Sequence, residues 1–242
     1  MLQVCLNGAR TRDDFRRLPV APDELAAQAA RAVAAGARDV HLHPKDDDGA
    51  DSLQPRDVAR AVEAVRRAVP EGVRVGVTTG AWAVPEPERR AELVRSWTVL
   101  PDHASVNWHE DGAEPVARAL LERGVGVEAG VWSGGDAADR FLGSPLADRV
   151  LRVLAEAVDT DPDTAPHTAS ALVSKLAAGV RAPLLLHGEE TGAWPVLRLA
   201  VRMELDTRIG LEDVLVLPDG SAAKDNAALV TAARDLISTG GR

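Results

Sequence analysis

The sequence predicts an α/β fold, a single (β/α)8 TIM barrel over residues 1–242, and three observations lead to this prediction. Eight short apolar or β-branched runs alternate with longer stretches of helical period, as in parallel βα units. The length of 242 residues is close to the roughly 250 that one closed barrel requires. No linker or low-complexity segment interrupts the series, so one domain accounts for the chain.

The predicted strands and helices alternate along the whole chain. The strands lie at Leu2–Asn7, Asp39–His43, Arg74–Thr78, His103–Asn107, Gly126–Val131, Val150–Ala155, Pro183–His187 and Thr207–Leu211. The helices lie at Asp23–Ala35, Arg56–Val69, Pro87–Trp97, Ala113–Arg123, Asp136–Leu142, His167–Leu176, Trp194–Met203 and Asn226–Ile237. A doubly wound open sheet is the alternative, but it usually has fewer strands, and no G-x-G-x-x-G follows the first strand.

Composition and charge favour a protein that acts on small molecules. The net charge is −9, so binding to nucleic acid is not expected. No apolar run approaches the length of about 18 residues that could span a bilayer. A single cysteine, Cys5, excludes an internal disulfide, and the first residues lack the features of a secretory signal. The sequence therefore predicts a cytoplasmic protein without nucleic-acid or membrane partners.

Polar residues stand at the predicted carboxyl ends of the strands, where barrel enzymes hold their catalytic groups. His41 and His43 lie two residues apart, so both side chains point to one face of a strand and can bind one ion. Glu212, on the last strand, would complete the two-histidine, one-carboxylate set of a catalytic zinc site. The alternatives are a hydrogen-bonded histidine pair, and a salt bridge from Glu212 to Arg208 or Lys45.

Other strand ends provide candidate substrate contacts. Ser105 and Asn107 share a face of the fourth strand and can donate hydrogen bonds to substrate oxygens. Glu128 on the fifth strand is a candidate to contact substrate or to orient a histidine ligand. Asn7 is a further candidate, although a simple turn before the next glycine also explains it. Satisfied polar pairs in the barrel core remain the alternative for the other three.

The end of the seventh strand and the loop after the first add further polar groups. His187 and Glu189 fall on one face, as substrate contacts or as an acid–base pair; a satisfied histidine–carboxylate pair is the alternative. Arg10 belongs to a group of arginines after the first strand, which could meet a substrate carboxylate or remain solvated. Tryptophans follow four strands, at Trp82, Trp108, Trp132 and Trp194, and either wall a pocket or anchor loops.

Taken together, these segments resemble the β-keto acid cleavage enzyme family. The matching motifs are NGA near the start, HLHPKDDDG at 41–49, VTTG at 77–80, ASVN at 104–107 and RIGLED at 208–213. The resemblance implies a (β/α)8 barrel that holds zinc, or another divalent metal, on His41, His43 and Glu212, and that forms a homotetramer or homodimer. It also implies a Claisen-type reaction in which a β-keto acid and acetyl-CoA give acetoacetate and a new acyl-CoA.

The resemblance further implies roles for individual residues. The general base and the arginine of the family fall on Asp213 and Arg208, and its hydroxyl residue falls on Thr78. Asp213 directly follows Glu212, so in a regular strand it would face away, and the base role requires the backbone to turn at the strand end.

Departures from the family lie at the substrate end of the pocket. Arg10 stands where relatives often carry an acidic residue, Thr78 stands where serine is common, and the seventh strand ends in the sequence LHGEE. We therefore expect a substrate pocket that differs from those of the relatives. Two other functions remain open: a CoA-independent, metal-dependent aldolase or lyase acting on a keto acid, and a catalytically silent barrel that binds a metal or ligand.

Overall fold

The computed structural model describes residues 1–240, and within them eight parallel strands close into a barrel in the order of the sequence. The strands are β1 (Leu2–Cys5), β2 (Asp39–Leu42), β3 (Arg74–Thr78), β4 (His103–Asn107), β5 (Gly126–Trp132), β6 (Arg152–Ala157), β7 (Leu184–Gly188) and β8 (Asp206–Ile209). Parallel pairing of β8 with β1 completes the circle. The predicted (β/α)8 barrel is confirmed; residues 241–242 of the predicted domain lie outside the described part.

One helix follows each strand and packs on the outside of the barrel. The helices are α1 (Pro22–Ala35), α2 (Pro55–Ala68), α3 (Pro87–Ser96), α4 (Ala113–Glu122), α5 (Ala137–Leu142), α6 (Ala165–Ala177), α7 (Ala193–Arg202) and α8 (Asn226–Gly240). The apolar side chains that the strands direct outward form one core with the inner faces of these helices. Across residues 1–240, every helix is too short or too polar to cross a membrane.

Three strands differ from the prediction by two residues, and β2, β5 and β7 differ by one. β1 ends at Cys5 and β8 ends at Ile209, each two residues early, while β6 lies two residues later than predicted. In β6, pairing with both neighbours continues past the predicted end at Ala155, since Glu156 is opposite Trp132 and His187. A strand end depends on such pairing, which the sequence of one strand does not reveal.

The interior of the barrel below its carboxyl end is a polar layer, the barrel floor, formed by Gln3, Asp39, His103, Glu128 and Arg152, all buried. Asp39 pairs with His103 at 2.9 Å and with Arg152 at 2.5 Å, and Glu128 pairs with His103 at 3.0 Å and with Arg152 at 2.5 Å. Burial would lower the pKa of His103, but Glu128 and Asp39 outweigh it and raise that pKa to about 9. The floor is therefore a network of paired charges beneath the site.

Candidate active site

A cavity of about 400 Å³ opens at the carboxyl end of the barrel, the end where such barrels hold their active sites. It is lined by all but two of the polar residues that the sequence assigns to catalysis, substrate binding or the metal. Those that line it are Arg10, His41, His43, Thr78, Ser105, Asn107, His187, Glu189, Arg208, Glu212 and Asp213. Asn7 and Glu128 are the two exceptions.

His41, His43 and Glu212 come together at one side of the cavity. His41 Nε2 lies 3.8 Å from Glu212 Oε2, and His43 Nε2 lies 3.6 Å from Glu212 Oε1. One ligand atom from each residue lies within 4.8 Å of the other two. These separations suit three ligands around one ion and exceed hydrogen-bond length.

The electrostatics of His41 and Glu212 also fit a divalent metal. Burial lowers the pKa of His41 to about 4, so its imidazole is neutral and can donate a lone pair. Burial would raise the pKa of Glu212, but Arg208, His43 and His41 hold it well below its ordinary value. Glu212 Oε2 is buried and has no hydrogen-bond partner within residues 1–240. A buried, ionised and unpartnered carboxylate oxygen beside a neutral imidazole is what a metal ligand set requires.

His43 is held by groups outside the predicted site. Its Nδ1 lies 3.2 Å from Asp51 Oδ2, which leaves Nε2 directed toward Glu212. Asp51 also pairs with Lys45 at 2.6 Å and accepts a hydrogen bond from Trp82 Nε1 at 2.7 Å. Burial would lower the pKa of His43, but Glu212 and Asp51 raise it to about 9. Asp51 thus positions the His43 ring, and its negative charge makes the imidazole more basic.

Asn7 and Glu128 lie outside the cavity lining and contact other parts of the protein, so their role as substrate contacts stays a prediction. The Asn7 amide exchanges two hydrogen bonds of 2.9 Å with the backbone of His43, so it fixes the end of β2. Glu128 is fully buried in the barrel floor, and its Oε2 lies 4.0 Å from His41 Nδ1, beyond hydrogen-bond length. Of the two candidate histidine ligands, His43 is the one within hydrogen-bond length of a carboxylate, and that carboxylate is Asp51.

The chain turns directly after β8, and this turn directs both acidic residues into the cavity. The backbone N–H groups of Asp213 and Val214 donate to the Gly210 carbonyl. Gly210 packs so tightly on β1 that a Cβ at this position would lie 1.8 Å from the Cys5 carbonyl oxygen. Glu212 and Asp213 therefore both face the cavity, although they are adjacent in sequence.

Asp213 is held on three sides. Arg208 Nη2 donates to Asp213 Oδ1 at 2.8 Å and lies 3.0 Å from Glu212 Oε1. The Cys5 thiol donates to Asp213 Oδ2 at 3.0 Å, and burial together with Asp213 raises the pKa of this thiol well above its ordinary value. His187 Nδ1 lies 3.6 Å from Asp213 Oδ1. The carboxylate is thus fixed in place, as a general base requires.

Hydroxyl and amide groups line the cavity at the ends of β3 and β4. Thr78 Oγ1 accepts a hydrogen bond from the Gly80 N–H at 3.1 Å, which leaves its own hydrogen to donate. Asn107 donates through its Nδ2 to Glu110 Oε1 at 2.9 Å. Ser105 borders the same cavity. This wall offers polar contacts to substrate oxygens.

The comparisons with known proteins agree with this arrangement. A family model described as BKACE, beta-keto acid cleavage enzyme, matches residues 1–242. The chain belongs to the β-keto acid cleavage enzyme family. This confirms the resemblance that the motifs indicate. A relative in this family is the 3-keto-5-aminohexanoate cleavage enzyme of Fusobacterium nucleatum, which is 28% identical over 242 residues that cover 91% of this chain and 84% of the relative.

Solved structures share the fold. The ternary complex of ObcA with C4-CoA adduct and oxalate superposes with a TM-score of 0.73 at 19% identity, over 93% of this chain. The chain spans 64% of the length of that protein. The homocysteine methyltransferase MmuM from Escherichia coli superposes with a TM-score of 0.60 at 13% identity, over 97% of this chain and 94% of its own. At these identities, the likeness concerns the barrel alone.

The structure of this family member adds site residues that the sequence did not single out. Glu156, at the end of β6, lines the cavity. Glu156 lies two residues after Leu154 and so shares its face of the strand, but the predicted strand ended one residue before Glu156. Glu190 also lines the cavity and pairs with Arg10, whose Nε donates to the Glu212 carbonyl at 3.1 Å. Both carboxylates belong to the substrate end of the pocket.

The four tryptophans that follow strands divide into two pairs. Trp82 and Trp132 line the cavity, as pocket walls do. Trp108 packs edge-on against Phe141, with ring centroids 4.9 Å apart. Trp194 donates to the Val216 carbonyl at 2.9 Å and so anchors a loop. Both interpretations of the sequence pattern hold, each for two of the residues.

Proposed function

We propose that the protein is a metal-dependent β-keto acid cleavage enzyme, an acyltransferase that uses acetyl-CoA as co-substrate. The observation that supports this proposal is the convergence of His41, His43 and Glu212 with Asp213 and Arg208 in one cavity of a member of this family. Two imidazoles and one carboxylate favour zinc among the divalent metals. Assembly as a homotetramer or homodimer and a cytoplasmic location stay predictions.

The reaction exchanges acyl groups between two small molecules. The bond between C2 and C3 of the β-keto acid breaks, and C2 forms a new bond to the carbonyl carbon of acetyl-CoA. The CoA sulfur leaves the acetyl group and becomes bonded to C3 of the other fragment. Acetoacetate and a new acyl-CoA are the products, and the exchange needs no external oxidant or reductant.

His41, His43 and Glu212 would hold the metal, and a metal there acts as a Lewis acid that favours negative charge on the oxygens of the β-keto acid. Asp213 accepts the proton that leaves C2 and returns it to the same carbon once the bond between C2 and C3 has broken. The Arg208 guanidinium stays charged, because Asp213 and Glu212 outweigh its burial and raise its pKa well above the ordinary value. Arg208 donates to Asp213 Oδ1 at 2.8 Å and therefore holds the carboxylate in alignment.

The ends of β3 and β4 orient the substrate. Thr78 can donate its hydroxyl hydrogen to a substrate oxygen, and Ser105 can do the same from the neighbouring strand. The Asn107 amide nitrogen already donates to Glu110, so its oxygen is the atom free to accept a hydrogen bond. These contacts hold the reacting carbons in register with Asp213.

A panel of β-keto acids tests the proposal. Protein of measured metal content is mixed with each acid, with and without acetyl-CoA, and acetoacetate is quantified. We expect acetoacetate only when metal and acetyl-CoA are both present. Asp213→Asn should lower kcat by about 10²- to 10⁴-fold. The matched control is Glu71→Gln, which changes an exposed residue before β3 at the opposite end of the barrel. This control should keep wild-type activity.

Two results would contradict the proposal. Equal cleavage with acetyl-CoA omitted would identify a lyase instead of an acyltransferase. A metal-loaded protein that forms no acetoacetate from any acid would favour a silent binding barrel.

A further inference from the structure

The side of the cavity formed by β6 and the end of β7 is acidic. Glu156 and Glu189 both line the cavity, with Glu156 13% exposed at its side chain. Glu189 makes no side-chain hydrogen bond or ion pair with any residue in 1–240. His187 Nε2 lies 3.5 Å from Glu156 Oε2. We call Glu156, His187 and Glu189 the acidic wall.

The cations of the cavity are engaged elsewhere. Arg208 donates to Glu212 and Asp213. Arg10 pairs with Glu190 and donates to the Glu212 carbonyl, so it leaves the acidic wall unneutralised. Among the described residues, six carboxylates and two guanidinium groups line the cavity. Negative charge therefore remains in excess even after a divalent metal is counted.

His187 provides independent evidence that a ligand belongs at the acidic wall. It is only 3% exposed, it lines the cavity, and neither of its ring nitrogens has a hydrogen-bond partner within residues 1–240. Buried polar atoms in native proteins are nearly always hydrogen-bonded. A polar group of a bound ligand would fill this role.

The surroundings of Glu189 also favour a cation. Burial raises the pKa of Glu189, and the negative charges of Asp213, Glu156 and Glu190 raise it further. Like charges held together in a partly buried pocket repel one another, and a positively charged group between them relieves that repulsion.

We propose that the acidic wall binds a positively charged ammonium group on the tail of the β-keto acid. This inference rests on the proposed function, which places the β-keto end at His41 and His43 on β2. In the closed barrel, β6 lies four strands from β2 in either direction, so Glu156 lies across the barrel from His41 and His43. An ammonium has three N–H donors, and the carboxylates of Glu156 and Glu189 offer acceptors for them.

An anionic tail does not fit the same wall. A second carboxylate on the substrate would require a free cation, and Arg10 is the only arginine or lysine of the described cavity lining besides Arg208. Arg10 is held by Glu190, so a carboxylate would have to displace that partner and approach Glu189. The wall therefore selects against anionic substrates as well as for cationic ones.

Matched β-keto acids test this inference. Four acids of equal chain length end in an ammonium, a hydroxyl, a methyl and a carboxylate group, and kcat/KM with acetyl-CoA is measured for each. Glu189→Gln and Glu156→Gln remove one charge each at constant shape, and Glu71→Gln removes an exposed charge at the far end of the barrel as the control. Calorimetric titration of the same acids into metal-loaded protein without acetyl-CoA measures binding independently of turnover.

We expect wild type to favour the ammonium acid over the methyl acid at least tenfold, a free-energy difference of about 1.4 kcal/mol. Each glutamine variant should reduce this preference about tenfold, and Glu71→Gln should leave it as in wild type. Equal or greater preference for the methyl or carboxylate acid would overturn the inference, as would variants that weaken all four acids alike. If turnover fails for every acid, the proposed function fails, and the calorimetric preference still decides the inference.

Discussion

Asp51 contacts three side chains around one edge of the site. It holds His43 at 3.2 Å, pairs with Lys45 and accepts from Trp82, whose ring stacks on the imidazole with centroids 5.7 Å apart. The sequence motif HLHPKDDDG predicted the histidines because residues two apart share a face of a strand. It did not predict Asp51, since this contact depends on how the loop after β2 folds back.

Asp51→Asn should weaken metal binding by about 10- to 100-fold, because the negative charge that supports the His43 imidazole is lost. Competition with a chromogenic chelator measures the affinity. Asp47→Asn changes an exposed carboxylate of the same loop, paired only with surface arginines, and should bind metal as wild type does. Equal affinity in Asp51→Asn and wild type would contradict the role given to Asp51.

At the scale of elements, the end of β8 shows where sequence reasoning succeeds and where it fails. The period-two pattern placed Glu212 on the face of Arg208 in a strand that reached Leu211. The strand stops at Ile209, and Glu212 reaches the cavity from a turn instead. Glu212 was therefore predicted from strand periodicity, whereas a turn is what directs it into the cavity. The close packing of Gly210 on β1 produces the turn, and this tertiary contact has no local sequence signal.

Gly210→Ala should destabilise the fold by about 1–3 kcal/mol, because the added methyl group meets the Cys5 backbone rather than a flexible side chain. Urea denaturation measures the free energy of unfolding. Gly135→Ala is the matched control, since a Cβ at that position has no atom of the described chain within 4 Å. We expect the control to change stability by less than about 0.5 kcal/mol. A Gly210→Ala protein as stable as the control would refute the packing argument.

At the scale of the whole molecule, the alternation of strands and helices was sufficient to predict the closed barrel. The charged floor was not predictable as a unit, because Asp39, His103 and Arg152 come from β2, β4 and β6 and meet only when the barrel closes. Their pairing makes the stability of the entire barrel depend on pH.

The free energy of unfolding should fall as the pH rises from about 6.5 toward 10. The pKa of His103 is about 9 in the folded protein and 6.5 as its ordinary value. The proton is therefore bound more tightly in the folded state, so the stabilisation is complete below pH 6.5 and is lost as the pH passes through 9. Urea denaturation of metal-loaded protein across this range measures the effect. His103→Gln should flatten the slope, and an unchanged slope in that variant would contradict the assignment.

The ligand set has a mechanical consequence for the closed barrel. His41 belongs to β2 and Glu212 follows β8, so β1 is the single strand between them. A bound ion would join β2 to the segment after β8 and so stabilise the closure of the barrel between its first and last strands. Adding a chelator should therefore quicken amide hydrogen exchange in β8 and β1 before it affects β4 and β5. The concentration of available metal would then control the local stability of the closed barrel as well as the rate of catalysis.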